Sequence, residues 1–330
     1  MNAMNMPAWG IWLMALGLGI FIVMIILSLK KHRGVHRSLF AWPYSLWMIV
    51  FTVVPLFLIA YYAFTDKAGS FTLDNFKNFW DSNYEMKKQL IDMGFDVSAM
   101  ELSDRGTVNV DTLVYSLWMA FKCTVICLAI GYPAALFMSD RNFKLGPTLI
   151  VLFIVPMWMN FLLRTIAWMT LLEDNGIINT LLESLGFGKL RLMYNSNAVL
   201  LGMVYNYLPF MVFPVYNSIN KQDIKLSEAA MDLGADEMKT FTKVTFPLSI
   251  PGIVSGITMV FMPSVTTFFI PRVLGGGNTE MFGDLIERTF LTADNWNVGS
   301  ALSLIMMVLI LFSISLLRRV DPQGEGESLL

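Results

Sequence analysis

Charge is scarce in this sequence. Asp, Glu, Lys and Arg make up 15% of its 330 residues, where soluble domains carry about 25%, and that shortage excludes an ordinary water-soluble globule. The formal net charge is -2, so there is no global basic field to draw in nucleic acid. Histidine is nearly absent: His32 and His36 flank a basic cluster, are too few to make a metal site alone, and no His/Cys/Glu group has metal-ligand spacing. Only two cysteines occur, Cys123 and Cys127, four apart in an apolar run. On a helix they share a face at a backbone separation near the upper limit for a bridge, and they read as two buried thiols. No G-x-x-x-x-G-K-[ST] loop is present, so the chain cannot cradle ATP phosphates in the usual way. Gly275-Gly276-Gly277 lacks the strand context and the lysine of such a loop and reads as an external loop. No G-x-S-x-G elbow occurs either, so an integral membrane enzyme would lack its catalytic cluster.

What is present is apolar. Hydrophobic residues make up 55% of the chain, mean hydropathy is +0.59, and 24 methionines are scattered through apolar runs, where they pack. Residues 11–29 carry no charge and are just long enough to cross a bilayer core of about 30 Å. No Lys or Arg precedes this run, while Lys30, Lys31, Arg33 and Arg37 follow it. That order argues for a retained helix with its N-terminus outside and against a cleaved signal peptide. Further spans are expected at about 44–64, 113–138, 148–171, 198–217, 252–271 and 298–317. Segment 66–112 is polar, with nine acids against five bases, and is the longest external loop. Internal loops then hold twelve Lys and Arg residues and external loops nine, the bias lying in short loops near span ends. The expected fold is all-α and integral to a membrane: about seven transmembrane helices, N-terminus outside and C-terminus cytoplasmic.

Several spans carry breakers. Pro133, Pro156, Pro209, Pro214 and Pro263 each free a backbone carbonyl that needs a partner in protein or in a water-filled cavity. Packing kinks would do the same singly; together, four kinked helices favour a transport core. The polar residues in the spans are Lys122, Asn160, Arg164 and Asn206, with Tyr132, Trp158, Trp168, Tyr205 and Tyr207 nearby. Charge inside a membrane is costly and by default marks function. For Lys122 and Arg164 the alternative is snorkelling, or pairing with Glu173 or Asp174; for the aromatics it is interfacial packing. The spans hold almost no acids, which weighs against a secondary transporter driven by an ion gradient.

The most specific stretch is 227–251, SEAAMDLGADEMKTFTKVTFPLSIP. Ser227 is placed to cap a short helix, with Glu228 and Asp232 near its positive end. Ala229 and Ala230 leave a low profile for a close partner. Gly234 permits a turn that a side chain would hinder. Pro247 and Pro251 mark a helix start or kink. This pattern resembles the EAA loop of the membrane subunits of binding-protein-dependent ABC importers. Here the closing run is Phe241-x-x-Val244-x-Phe246-Pro247, with Val and Phe where the family form has Ile and Leu.

Within that family the chain is similar to the spermidine/putrescine permeases of the PotB type. The likeness rests on Gly131-Tyr132-Pro133, on 154–165 leading into Asp174-Asn175-Gly176, on 207–219 and 246–253, and on 296–301. It covers about 40–320. It implies a six-helix importer core at 38–320, preceded by an extra N-terminal helix and basic loop at 1–37 and followed by a short tail at 321–330. It also implies a subunit of the bacterial plasma (inner) membrane with no catalytic residues and no cofactor of its own. ATP and Mg would be bound by an ATPase dimer (PotA-like). A second permease (PotC-like) would complete the core, and an extracytoplasmic substrate-binding protein (PotD-like) would deliver solute. Loop 221–247 would couple to the ATPase. Tyr132, Trp158, Asn160, Arg164, Trp168, Tyr205, Asn206 and Tyr207 would line the path, their aromatic faces suiting a cationic polyamine. Amino acids, sugars and oxyanions remain alternative substrates.

Overall fold

The computed structural model describes residues 44, 46–84, 87, 90, 93, 108–140 and 143–318. The expected first helix, 11–29, and the tail, 321–330, lie outside the described residues. The chain divides into two compact units, Met1–Tyr62 and Ala63–Leu330.

Among the described residues the regular structure is helical, apart from an isolated antiparallel bridge between Thr65 and Phe71. Helix α1 is Leu46–Ala63. Then come α2 (Asp74–Trp80), α3 (Val108–Ser139), α4 (Gly146–Ile154), α5 (Phe161–Leu172), α6 (Ile177–Ser184) and α7 (Ser196–Asn220). They are followed by α8 (Ile224–Asp232), α9 (Glu237–Thr240), α10 (Phe246–Thr266), α11 (Phe269–Gly275), α12 (Phe282–Leu291) and α13 (Trp296–Arg318). Five of the described helical runs are long and apolar enough to cross a membrane, and a bent pair supplies a sixth span. These match the six expected spans that fall on described residues.

The core of the second unit is three helices. α3 and α7 run parallel: Tyr115 donates to Ser196 Oγ at 2.9 Å near their starts, and Gly131 meets Met211 further along. α10 runs antiparallel against both. It meets α7 where Ser218 Oγ donates to the Leu248 carbonyl at 3.4 Å and where Tyr207 donates to the Pro263 carbonyl at 3.3 Å. The approach is close because Gly252 faces the Pro214 carbonyl, 2.8 Å from where a Cβ would stand. Small residues at such crossings let dispersion and polar contacts replace the hydrophobic drive that lipid removes. Cys123 and Cys127 lie in this core as free thiols with sulfurs 4.0 Å apart.

One expectation about the prolines needs correction. The helices continue through Pro133, Pro209, Pro214, Pro251 and Pro263. Each removes one N–H from a long helix whose flanking bonds and packing persist. The interruption lies at the expected 148–171 span instead. Pro156 sits in a 3-10 turn, Val155–Trp158, and Met159 and Asn160 turn extended. The two halves, Gly146–Trp158 and Phe161–Ser184, meet at 94°. Asn160 starts the second half as its N-cap, accepting from Leu162 N at 2.8 Å.

The expected 252–271 span is also displaced. The helical run begins at Glu237 and ends at Thr266, with a π turn, Phe241–Thr245, inside it. Pro247 is the second residue of α10, as expected of a proline at a helix start, and it follows the π turn, where the α hydrogen-bond register is already broken.

In the described part of the 66–112 loop, buried asparagines satisfy backbone carbonyls. Asn75 donates to the carbonyls of Ala63 and Thr65 at 2.9 and 2.8 Å, and Asn297 donates to Thr65 at 2.6 Å. Asn109 donates to Asn78 at 2.7 Å. These bonds fasten α2 to the starts of α3 and α13. At the same end, Arg272 of α11 pairs with Asp284 and Glu287 of α12.

Candidate functional site

The stretch singled out in the sequence forms a helix–turn–helix that stands clear of the core. Its first helix, α8, starts four residues earlier than expected. Asp223 is the N-cap and accepts from Lys225 N at 3.0 Å; Ser227 lies inside the helix. Asp outranks nothing here by chemistry, since Ser and Asp cap equally well; Asp223 wins because the helix begins at Ile224. Glu228 is therefore mid-helix and Asp232 is its last residue. That places Asp232 at the negative end of the dipole, costing about 0.3–1 kcal/mol.

Gly234 supplies the turn, as expected, with φ +86°. Its N–H bonds the Met231 carbonyl at 2.9 Å, and Ala235 N–H bonds the Ala230 carbonyl at 3.0 Å. This is a Schellman stop, which needs a left-handed residue just past the helix end. Asp236 then caps α9, accepting from Lys239 N at 2.7 Å.

The surface of this loop is partly apolar. Glu228, Ala229, Asp232, Gly234 and Pro247 are exposed; Ala230 and Phe241 are half-buried. Leu233 at the turn is 90% exposed and Met238 is 69% exposed. Beside the turn, an open groove is lined by Leu136, Asp236, Glu237, Met238 and Phe241. Sequence reasoning missed Leu233, Met238 and the groove. A large aliphatic side chain beside a glycine turn in a polar loop was the available signal.

The residues proposed for a membrane path do not form one cluster. Tyr132 sits at the loop end of α3, its hydroxyl 3.1 Å from Ser249 Oγ and its ring against Phe241 and Phe246. Trp158 is 81% exposed at the 94° bend, beside the capping Asn160. Trp168 and Tyr205 meet edge to face at 5.2 Å. Asn206 is buried, its amide donating to the Gly202 carbonyl at 2.8 Å and its Oδ1 unpartnered. Tyr207 is buried between α7 and α10. Arg164 is buried with Nε unpartnered, and among the described residues no ion pair joins it to Glu173 or Asp174. Lys122 lies over the Trp118 ring, 5.1 Å from its centroid, a cation–π contact in place of a carboxylate. Among the described residues, no group of three His, Cys, Asp or Glu could hold a metal.

The profile of the binding-protein-dependent transport system inner membrane components matches residues 128–323, which include the C-terminal part of α3, the helix–turn–helix and α10. The chain belongs to that family. Curated relatives of this permease include the spermidine/putrescine transport system permease protein PotB of Haemophilus influenzae. It is 33% identical over 277 residues, covering 81% of this chain and 88% of that one. The protein of the same name from Escherichia coli is 34% identical over 272 residues, covering 80% and 90%. Among solved structures, a subunit of the bacterial alginate ABC transporter, crystallised with its periplasmic protein, superposes with TM-score 0.64. It shares 14% identity and covers 86% of this permease and 94% of that chain. The family is one of transport subunits rather than enzymes, and the permease is a multi-pass inner membrane protein.

Proposed function

We propose that this permease is one of two membrane subunits of an ATP-driven importer for the polyamines spermidine and putrescine. A PotC-like permease would complete the translocation core. A PotA-like ATPase pair would bind ATP and Mg on the cytoplasmic side, and a PotD-like protein would deliver substrate outside. The observation that carries the reading is the likeness to spermidine/putrescine permeases over most of both chains. The exposed loop supports the coupling role: Leu233 and Met238 are apolar knobs that water disfavours and a protein cleft would cover. A basic side chain of the ATPase beside Asp232 would offset its unfavourable place on the dipole.

For the path we propose Trp158, Asn160, Arg164, Trp168, Tyr205, Asn206 and Tyr207. The Trp168–Tyr205 pair supports this, since aromatic faces attract alkylammonium groups at about 0.5–2 kcal/mol. One observation favours an anionic solute instead: the unpartnered Arg164 guanidinium nitrogen in the core. Uptake into proteoliposomes with labelled spermidine in one arm and a labelled amino acid or oxyanion in the other separates the two.

The orientation we propose puts the N-terminus and 66–112 outside, and 218–250 and the C-terminus inside. Cysteines at Asn83 and Gln222 are then labelled by an impermeant thiol reagent from opposite sides of the membrane. Labelling of both from one side contradicts the orientation. The 1–37 segment precedes the region of likeness, and a chain starting near Arg37 is expected to insert and transport; insertion without transport would make that helix part of the working core.

A further inference from the structure

A π turn costs hydrogen-bond quality and persists where function or packing holds it. The one at Phe241–Thr245 lies between the exposed loop and α10, and Phe246 N–H closes it by bonding the Phe241 carbonyl. In an α-helix, residues five apart point about 140° away from each other. In a π turn the i to i+5 bond stacks them on one face. Phe241 and Phe246 are thereby brought together, their ring centroids 6.2 Å apart. Between them sits a third ring, Tyr132 of α3, at 6.2 Å from Phe241 and 5.8 Å from Phe246, edge-on to both.

The Tyr132 hydroxyl is fixed as well. Ser249 is fully buried and donates its one proton to the Phe246 carbonyl at 2.7 Å. Tyr132 must therefore donate to Ser249 Oγ, across 3.1 Å. One turn further along α3, Leu136 lines the open groove, whose lining also includes Phe241. Whatever fills that groove touches Phe241. Phe241 touches Tyr132, and the next residue back, Gly131, packs on Met211 and Val212 of α7.

We propose that Tyr132 is the positioning residue that joins the loop to the transmembrane core, clamped by a π turn whose role is to present Phe241 and Phe246 to it together. Displacement of the loop by the ATPase is passed through this three-ring contact to α3 and α7. This reassigns Tyr132 from the path to the coupling machinery, and it rests on the loop being the ATPase contact.

The test uses the full complex, with both permeases, ATPase and binding protein, in proteoliposomes with labelled spermidine. Three quantities are read: ATPase co-purification, ATP hydrolysed, and spermidine imported per ATP. Tyr132→Leu is expected to leave co-purification and hydrolysis near wild type while import per ATP falls roughly tenfold, as for a lost coupling contact. Phe241→Leu is expected to lower import per ATP by a similar factor, and the double variant to lower it no further than either single. Tyr132→Phe keeps the rings and is expected to stay within about threefold. Unchanged import per ATP in Tyr132→Leu overturns the proposal. So does loss of co-purification in both Tyr132→Leu and Phe241→Leu, which would make the cluster a fold element only. The docking reading fails separately: it falls if Leu233→Asp, at the exposed turn, leaves co-purification intact.

Discussion

Leu233→Asp releases the ATPase from the membrane core while the permease still folds and inserts. The side chain is 90% exposed within this chain, so replacing it disturbs no internal contact. Burying a leucine in a partner's cleft is worth about 1.5–3 kcal/mol. A carboxylate placed there instead must be desolvated or leave the cleft open. A central apolar anchor of this kind contributes at least about 2 kcal/mol, so affinity should fall roughly thirtyfold or more. Co-purification of the ATPase and ATP-dependent uptake fall together. Leu233→Met, which keeps apolar bulk, stays near wild type.

Gly234→Val lowers coupling by a different route. A Cβ at Gly234 meets nothing within 4 Å of this chain, yet its φ is +86°. The cost is therefore backbone strain, about 1–2 kcal/mol for a residue forced into the left-handed region, and a β-branched side chain sits at its worst there. Loss of the Schellman stop lets α8 and α9 change their angle, and Leu233 leaves its place. Since about 1.4 kcal/mol is tenfold in an equilibrium, uptake should drop roughly tenfold. Gly234→Asn, which tolerates that conformation, should stay within about threefold. If Asn and Val are equally harmful, a partner contact at Gly234 is the cause, and the backbone account is wrong.

Much of the fold was legible because apolar runs with almost no charge declare their length. The spans expected at 113–138, 198–217 and 298–317 appear as Val108–Ser139, Ser196–Asn220 and Trp296–Arg318. The structure extends them into flanking polar residues, which hydropathy does not count. The proline signal was ambiguous. Pro156 coincides with the 94° break, whereas Pro209 and Pro214 lie inside a continuous helix. Asn160, able to cap a new helix four residues after Pro156, is what distinguishes the first case.

The loop was legible in outline and misread in detail. Gly234 lies at the expected turn, where its φ of +86° is one that glycine adopts at no steric cost. Ser227 immediately precedes Glu228-Ala229-Ala230 and has cap chemistry, but the helix begins three residues before it, at Ile224 after Asp223. The π turn at Phe241–Thr245 has no compositional mark, and the ring that its two phenylalanines meet, Tyr132, lies more than 100 residues away in the chain. For the same reason Tyr132, an aromatic in a span, looked like its neighbours on the path until its ring partners were known.

The most direct measurement is uptake of labelled spermidine into proteoliposomes holding the two permeases and the ATPase, with binding protein outside and ATP enclosed. The account predicts accumulation that requires ATP and the binding protein, is competed by putrescine, and is lost in Leu233→Asp. Accumulation of a different solute class, or uptake that follows an imposed ion gradient without ATP, would contradict it.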